Sequence, residues 1–467
     1  MSELNNPILS RFRTRKSELD ELFKVLISNG HMNKIEQATY RKPGQSIKYK
    51  ISMLVCAITR NISEIQKQSA YNNSNLAYIS KFIERELQLI DYVQRPETLQ
   101  RILKTANLPC PVQLEVTKVP ARISYPFIVS PKKSVNHYEG HSYFIRYSAL
   151  IGDMYINRYH PREVVFQQIM AEIVLREFIS DELVVSTLYP NINIHKRHPV
   201  HKIDDPFDEI KHRVIIQENH TKGWHLLTDH NNFVEVAELF GRIIGIIHAG
   251  TWRQNLDPTG MALRFFCEFR DQTPKQYEYW LREKNWIPKI YASLKQTAQK
   301  EKSSFRAIAL KSVQDELDDV WNQSVEQSIC FWKDGAVLVP PDINPRNIFV
   351  NNKQSLKIID LDNILILDPT YHVGRSLHIL LHTAIQMNIW NVQLALKSIE
   401  AFHSSYESTL CSMNAGFTTT DKAFRSNMKR YAAFNYISYY LASADALALD
   451  QNQVEAIIVI GKSLLAK

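Results

Sequence analysis

Three residues in the second half of the chain have the types and the spacing to manage a divalent cation and a phosphate. Asp342 is followed by Asn347 five residues on and by Asp360 thirteen further. Asp342 and Asn347 lie in the polar loop between two apolar runs, and Asp360 closes a third. Val337-Leu338-Val339 leads into PPDINPRN, Ile348-Phe349-Val350 into a polar turn, and Leu356-Lys357-Ile358-Ile359 into Asp360. Short apolar runs rich in β-branched residues and bounded by Pro and Asn read as strands, so two acidic groups and an amide are carried to strand ends. Mg2+ takes a few hard oxygen ligands from a protein and the rest from phosphate and water, a role suited to Asp360 and Asn347. Asp342 is then placed to accept the proton of an attacking hydroxyl.

This spacing resembles the catalytic loop and metal-binding Asp of protein kinases and, more closely, of the aminoglycoside phosphotransferase and choline kinase superfamily. That branch reads H-G-D-x-x-x-x-N, then I-D-F-D, then D-P-x-Y-D-L; here the corresponding stretches are PPDINPRN, IDLDN and DPTYHVGRSL. The resemblance spans about residues 120–467. It implies an α+β, two-lobed protein kinase-like fold, with an antiparallel-sheet N-lobe and a mainly helical C-lobe. It also implies transfer of the γ-phosphate of ATP or GTP, with Mg2+, to a hydroxyl of a small molecule or of a peptide Ser or Thr. Asp342 becomes the implied base and Asn347 and Asp360 the metal ligands, with Asp362 supporting them or holding a second ion.

The chain departs from the family pattern in several places. Pro340-Pro341 stand where the family has H-G, and His372 stands where an Asp braces the catalytic loop. The lysine of the third strand is missing: Asn157 holds its place, and Arg158 beside it points to the opposite strand face. The loop SPKKSVNHYEGHS has one glycine, Gly140, where close backbone approach to phosphate favours several. A catalytically inactive, kinase-shaped module that binds a nucleotide or a partner is therefore the alternative reading.

The supporting elements follow from periodicity. Residues 1–108 read as a basic, all-helical module, 109–125 as an extended linker with prolines at 109, 111 and 120, 126–230 as the N-lobe and hinge, and 231–467 as the C-lobe. Strand-like runs at 126–129, 143–149 and 154–159 precede an amphipathic helix over 162–178, and strands return at 183–188 and 213–217. Glu172 lies on the apolar face of that helix, where a carboxylate needs a cation, and it matches the family's helix Glu. Gln217, Glu218 and Asn219 resemble the hinge whose backbone meets an adenine edge. His248, at the end of a helix over 233–249 that resembles the family's L-x-x-L-H segment, reads as a packed helix-end residue.

Composition sets the outer bounds. With 467 residues, 45% hydrophobic and 22% charged, the chain is long and apolar enough for two or three domains with proper cores. It has no apolar run of about 20 residues and no apolar segment in its first residues, the pattern of a cytoplasmic protein. Five scattered cysteines without C-x-x-C spacing read as reduced thiols, and His195, His198 and His201 lack the partners of a zinc site. Of the formal charge of +8, the first 70 residues hold twelve Lys and Arg against six Asp and Glu. That end is expected to dock an acidic peptide or protein bearing the acceptor hydroxyl; the excess is too modest for nucleic acid.

Overall fold

The computed structural model describes residues 88–111, 113–118, 125–132, 142–148, 169, 171–172, 175–176, 183–185, 187–189, 206–211, 213–219, 223–252, 274–340, 343–351, 355–361, 365–415, 422–444 and 447–465. The helices expected within the first 87 residues, the strand expected at 154–159 and the histidines at 195–201 lie outside them. The chain divides into two compact units, one of residues 1–169 and 186–222, the other of residues 170–185 and 223–467. The expected α+β class holds, with the sheet-bearing unit first and the mainly helical unit after it.

The first unit is built on a five-stranded antiparallel sheet in the order β1-β2-β3-β5-β4, formed by Leu114–Lys118, Tyr125–Pro131, Tyr143–Tyr147, Val214–Glu218 and Thr187–Tyr189 for β1, β2, β3, β5 and β4. Period-2 alternation decides which face is buried. Phe127 pairs with Ile145 and Ile145 with Ile216, a cross-strand row that is at most 1% exposed. Helix α1, Pro96–Thr105, covers this face with Leu99, Ile102 and Leu103, joined by Leu89, Ile90 and Val93. Pro96 suits its start because the first turn needs no N–H, and the three apolar side chains fall at i, i+3 and i+4. Fully burying each contributes about 1.5–3 kcal/mol.

This corrects two sequence expectations. Residues 88–108 belong to the sheet's own core and not to a separate module. The stretch expected to be a linker supplies β1, whose five residues pair with β2 from Leu114↔Pro131 to Lys118↔Phe127. Its prolines, at 109, 111 and 120, flank the paired residues and leave every ladder donor of β1 in place.

The second unit is mainly helical. Helix α2, Pro206–Ile210, still belongs to the first unit; α3, Phe233–Thr251, opens the second and is followed by α4 (Pro274–Tyr279), α5 (Trp286–Lys300), α6 (Phe305–Lys311), α7 (Gln314–Asp334), α8 (Pro369–Gln386), α9 (Val392–Ser412), α10 (Lys422–Ser443) and α11 (Gln451–Leu465). Helix α3 runs through the core against α9, and two glycines set their separation. A Cβ on Gly241 would sit 2.3 Å from the Phe402 carbonyl oxygen, and one on Gly245 would sit 2.8 Å from Cβ of Thr409. Among the described residues no helix is long and apolar enough to cross a membrane.

Two small antiparallel sheets complete this unit. One joins β6 (Trp224–Leu226), β8 (Ile348–Asn351) and β9 (Leu356–Ile358) in the order β6-β8-β9; the other pairs β7 (Val337–Val339) with β10 (Leu365–Leu367). Residues 170–185, read from sequence as part of the N-lobe, group with this unit. The backbone shows why: Ile358 N–H donates to the Leu183 carbonyl at 2.7 Å and Val185 N–H donates to the Ile358 carbonyl at 3.2 Å.

Candidate active site

The stretch that carries the candidate chemistry is a set of short, buried strands joined by hydrogen-bonded loops. Val337, Leu338 and Val339 of β7 are fully buried, which fixes where the loop after them begins. Beyond it, Asn344 caps a 3₁₀ turn, Pro345–Asn347, by accepting from Arg346 N–H at 2.9 Å, and Pro345 is preset for the turn's first position. Asn347 N–H donates to the Asn344 carbonyl at 2.9 Å, and the chain enters β8 at Ile348. The sequence N-P-R-N thus works as cap, turn and strand entry.

Strand pairing then places Asn347 and Asp360 at one end of the β8–β9 hairpin. Ile348 pairs with Ile358, and one residue further Ile359 N–H donates to the Asn347 carbonyl at 2.8 Å. Asp360 follows at once, exposed and with φ 63°, in the left-handed region that Asp and Asn tolerate better than other side chains. Strand β9 is held on both sides, by Ile348 and by Val184, so the turn at Asp360 departs from a fixed edge. An anionic carboxylate and an amide oxygen at one strand end are hard donors, the kind that suits Mg2+.

The other residues singled out from the sequence distribute as follows. Asp342, Asp362, Asn157 and Arg158 lie outside the described residues. Glu172 is helical and 5% exposed, beside Ile169, Ala171 and Leu175 in burial. Gln217 is buried in β5 and its amide donates to the Thr187 hydroxyl at 3.5 Å, while Glu218 is exposed. Asn219 is committed to the sheet: its N–H donates to the Ser142 carbonyl at 3.0 Å and its side-chain amide to the Ser142 hydroxyl at 2.8 Å. That backbone donor is therefore not open to an adenine edge, because the β3–β5 ladder runs one residue further than the sequence indicates. Among the described residues, no three His, Cys, Asp or Glu side chains are grouped to hold a metal ion.

Two buried polar networks lie in the same unit as these residues. In the first, His248 of α3 lies between Tyr406 of α9, whose hydroxyl is 2.9 Å from Nδ1, and His372 of α8, whose Nδ1 is 2.7 Å from Nε2. His372 Nε2 reaches the Pro340 carbonyl at 3.4 Å. Burial, then the nearby Arg375, pushes His372 down to about 3, and burial followed by His372 holds His248 well below the usual imidazole range. His248 and His372 stand out in the sequence by their place in the motifs, whereas Tyr406 lies in no motif.

In the second, Asp368 caps α8 with its carboxylate fully buried. Oδ1 accepts from the Thr370 hydroxyl and from Tyr371 N–H, and Oδ2 from the hydroxyls of Tyr277 and Ser328, each at 2.7 Å. Burial pushes the carboxyl up, and the four donors oppose that shift. In the sequence Asp368 is the first residue of D-P-x-Y; Thr370 is local, but the two hydroxyls that satisfy Oδ2 come from α4 and α7, distant in the chain.

No family model matches this sequence, and no curated protein matches it. The structure is similar to those of several small-molecule kinases. An ethanolamine kinase of Plasmodium vivax is 13% identical, with 92% of this chain and 96% of that chain covered and a TM-score of 0.41. A spectinomycin phosphotransferase in complex with ADP and spectinomycin is 14% identical, with 79% and 98% covered and a TM-score of 0.40. A choline kinase of Streptococcus pneumoniae is 13% identical, with 79% and 98% covered and a TM-score of 0.37.

Proposed function

We propose that this protein is a Mg2+-dependent phosphotransferase that moves the γ-phosphate of a nucleoside triphosphate, ATP or GTP, to an alcohol hydroxyl. The observation that carries the reading is the backbone bond from Ile359 to Asn347, which ties the Asp360 turn to the loop that begins at Pro340. Asp360 and Asn347 would hold the ion, and Asp362 follows two residues on. When bound, Mg2+ supplies neutralisation of charge on the transferring phosphate.

The remaining work falls to the chain's own groups. Asp342 orients the acceptor hydroxyl and takes its proton as the oxygen attacks phosphorus, a contribution of about 10²- to 10⁴-fold for a positioned base. Glu172, buried on its helix, is assigned to hold a cation that faces the distal phosphates, with Arg158 as candidate in place of the missing lysine. Gln217 and Glu218 frame the adenine edge. The acceptor is a small hydroxyl compound or a peptide Ser or Thr, and the basic first 70 residues favour an acidic one.

A thermal-shift titration with ATP, GTP and Mg2+, followed by a transfer assay on hydroxyl metabolites and peptides, tests the reading. Stabilisation that needs both metal and nucleotide, with turnover abolished in Asp342→Ala, is the expected result. The second reading, an inactive binding module, is favoured by Asn157 in the lysine's place and by Pro340-Pro341 before the base. Metal-dependent binding without turnover on any acceptor would select it.

A further inference from the structure

The two most conspicuous departures from the family motif, Pro340-Pro341 and His372, meet in the structure. Neither proline has a backbone N–H, so the only backbone handles that this pair offers are carbonyl oxygens. A brace for the loop must therefore donate. An Asp at position 372 can only accept when ionised, whereas a neutral imidazole can donate from one nitrogen and accept at the other. His372 Nε2 lies 3.4 Å from the Pro340 carbonyl and must be the nitrogen that bears the proton.

That assignment propagates. With its proton on Nε2, neutral His372 accepts at Nδ1, so His248 Nε2 at 2.7 Å is a donor. His248 Nδ1 then accepts, and the Tyr406 hydroxyl at 2.9 Å donates to it. The bonds run one way from α9 through α3 and α8 to the loop, and all three side chains are at most 1% exposed. At the far end the Pro340 carbonyl also receives Ile343 N–H at 3.4 Å. In the sequence, Asp342 lies between these two residues.

We propose that His372 and His248 are positioning residues: through the Pro340 carbonyl they fix the loop that carries Asp342, and the substitution of Asp by His at 372 compensates for the Pro-Pro pair. The catalytic part of this proposal rests on the phosphotransferase reading; the structural part does not. The Pro340 carbonyl, which can only accept, selects the tautomer of His372; the donor that His248 presents to His372 Nδ1 keeps it there, and the Tyr406 hydroxyl, able to donate or accept, completes the chain.

The test compares His372→Asp with His372→Gln in the full-length protein, by hydrogen exchange at the Ile343 amide and by kcat and KM. Gln can donate to the carbonyl and accept from His248; Asp faces the carbonyl with an acceptor. His372→Asp should speed Ile343 exchange and lower kcat, each by about tenfold, with nucleotide affinity unchanged, and His372→Gln should stay within about threefold of wild type on both. Equal damage from Asp and Gln, or none from Asp, would overturn the proposal, since the side chain would then act by volume alone or not at all. If His372→Asp does not fold, His248→Leu carries the test: without a donor facing Nδ1, His372 is no longer held with its proton on Nε2, so Ile343 exchange should still speed severalfold, and unchanged exchange refutes the relay. Exchange is read without turnover, so a wild type that transfers no phosphate while Ile343 follows this pattern defeats the phosphotransferase reading and leaves the brace standing.

Discussion

Ile359 donates its backbone N–H to the Asn347 carbonyl at 2.8 Å, and the next residue, Asp360, turns the backbone to φ 63°. The two loops that carry the candidate ligands are thus tied by main-chain atoms, independent of any side-chain rotamer. Holding a residue in the left-handed region has an energetic cost that the flanking strands must offset, and such residues are common where a ligand is gripped. Asp360 is positioned by β9, whose last residue is bonded to β8 on one side and to the Val184 segment on the other.

Asp360→Asn is therefore the cleanest test of the metal site. Asn tolerates positive φ as well as Asp does, so the fold and the thermal midpoint without ligand should stay close to wild type. The shift produced by Mg2+ with ATP should vanish, because the anionic donor is gone. Equal shifts in wild type and variant would show that Asp360 holds no metal.

Asp368 should be the most sensitive polar residue among those described. Asp368→Ala strands the Thr370 and Tyr277 hydroxyls and the Tyr371 N–H in a dry core and leaves Ser328 to Tyr431 alone, a loss of at least about 3 kcal/mol. Tyr277→Phe removes one donor to the same carboxylate and should cost about 1.5–3 kcal/mol. Urea unfolding of the two variants beside wild type checks the order, and a smaller loss for Asp368→Ala would contradict the network.

Helix α3 against α9 gives a steric prediction. Gly241→Ala puts a methyl 2.3 Å from the Phe402 carbonyl oxygen, which is backbone and cannot rotate away, so the helices must part. The expected destabilisation is roughly 1–3 kcal/mol, read as a lower denaturant midpoint. Gly223→Ala meets nothing within 4 Å but sits at φ 79°, so its smaller loss comes from backbone strain alone.

Acid stability follows from the buried imidazoles. His372 and His378 are both pushed down to about 3, and His248 is also lowered, so the unfolded chain binds protons that the folded chain does not. Stability is full above about pH 6.5 and falls as pH drops from there toward 3, by up to about 1.4 kcal/mol per pH unit for each histidine. His403, pushed down to about 4 by burial, adds to the same side, and Asp368, raised by burial, acts with the opposite sign, as one group against four. Thermal melts from pH 7 to pH 4 should show this decline, and a shallower one in His378→Phe; a midpoint flat across that range would contradict it.

Truncation bears on the first unit. Removing residues 1–108 strips Leu89, Ile90, Val93, Leu99, Ile102 and Leu103 from the face that carries Phe127, Ile145 and Ile216. The truncated protein should aggregate or unfold in size-exclusion chromatography. A monomeric, folded product would mean that the helical residues are dispensable to the sheet.

Features that depend on near neighbours along the chain are legible without the fold. Val337-Leu338-Val339 alternates with nothing and is buried on both faces, N-P-R-N is a cap and turn in any setting, and the periodic runs at 126–129, 143–149 and 213–217 became β2, β3 and β5. The spacing from Asn347 to Asp360 likewise sufficed to bring them to one hairpin end, because β8 and β9 are consecutive strands. Contacts that join distant segments emerge with packing alone. That residues 88–108 cover the sheet, that 114–118 is a strand, and that Asn219 is consumed by Ser142 all depend on which surfaces meet, which periodicity does not encode. The same holds for the chain from Tyr406 to Pro340: its four members come from four places in the sequence, and burial makes them neutral and directional only once the helices have packed.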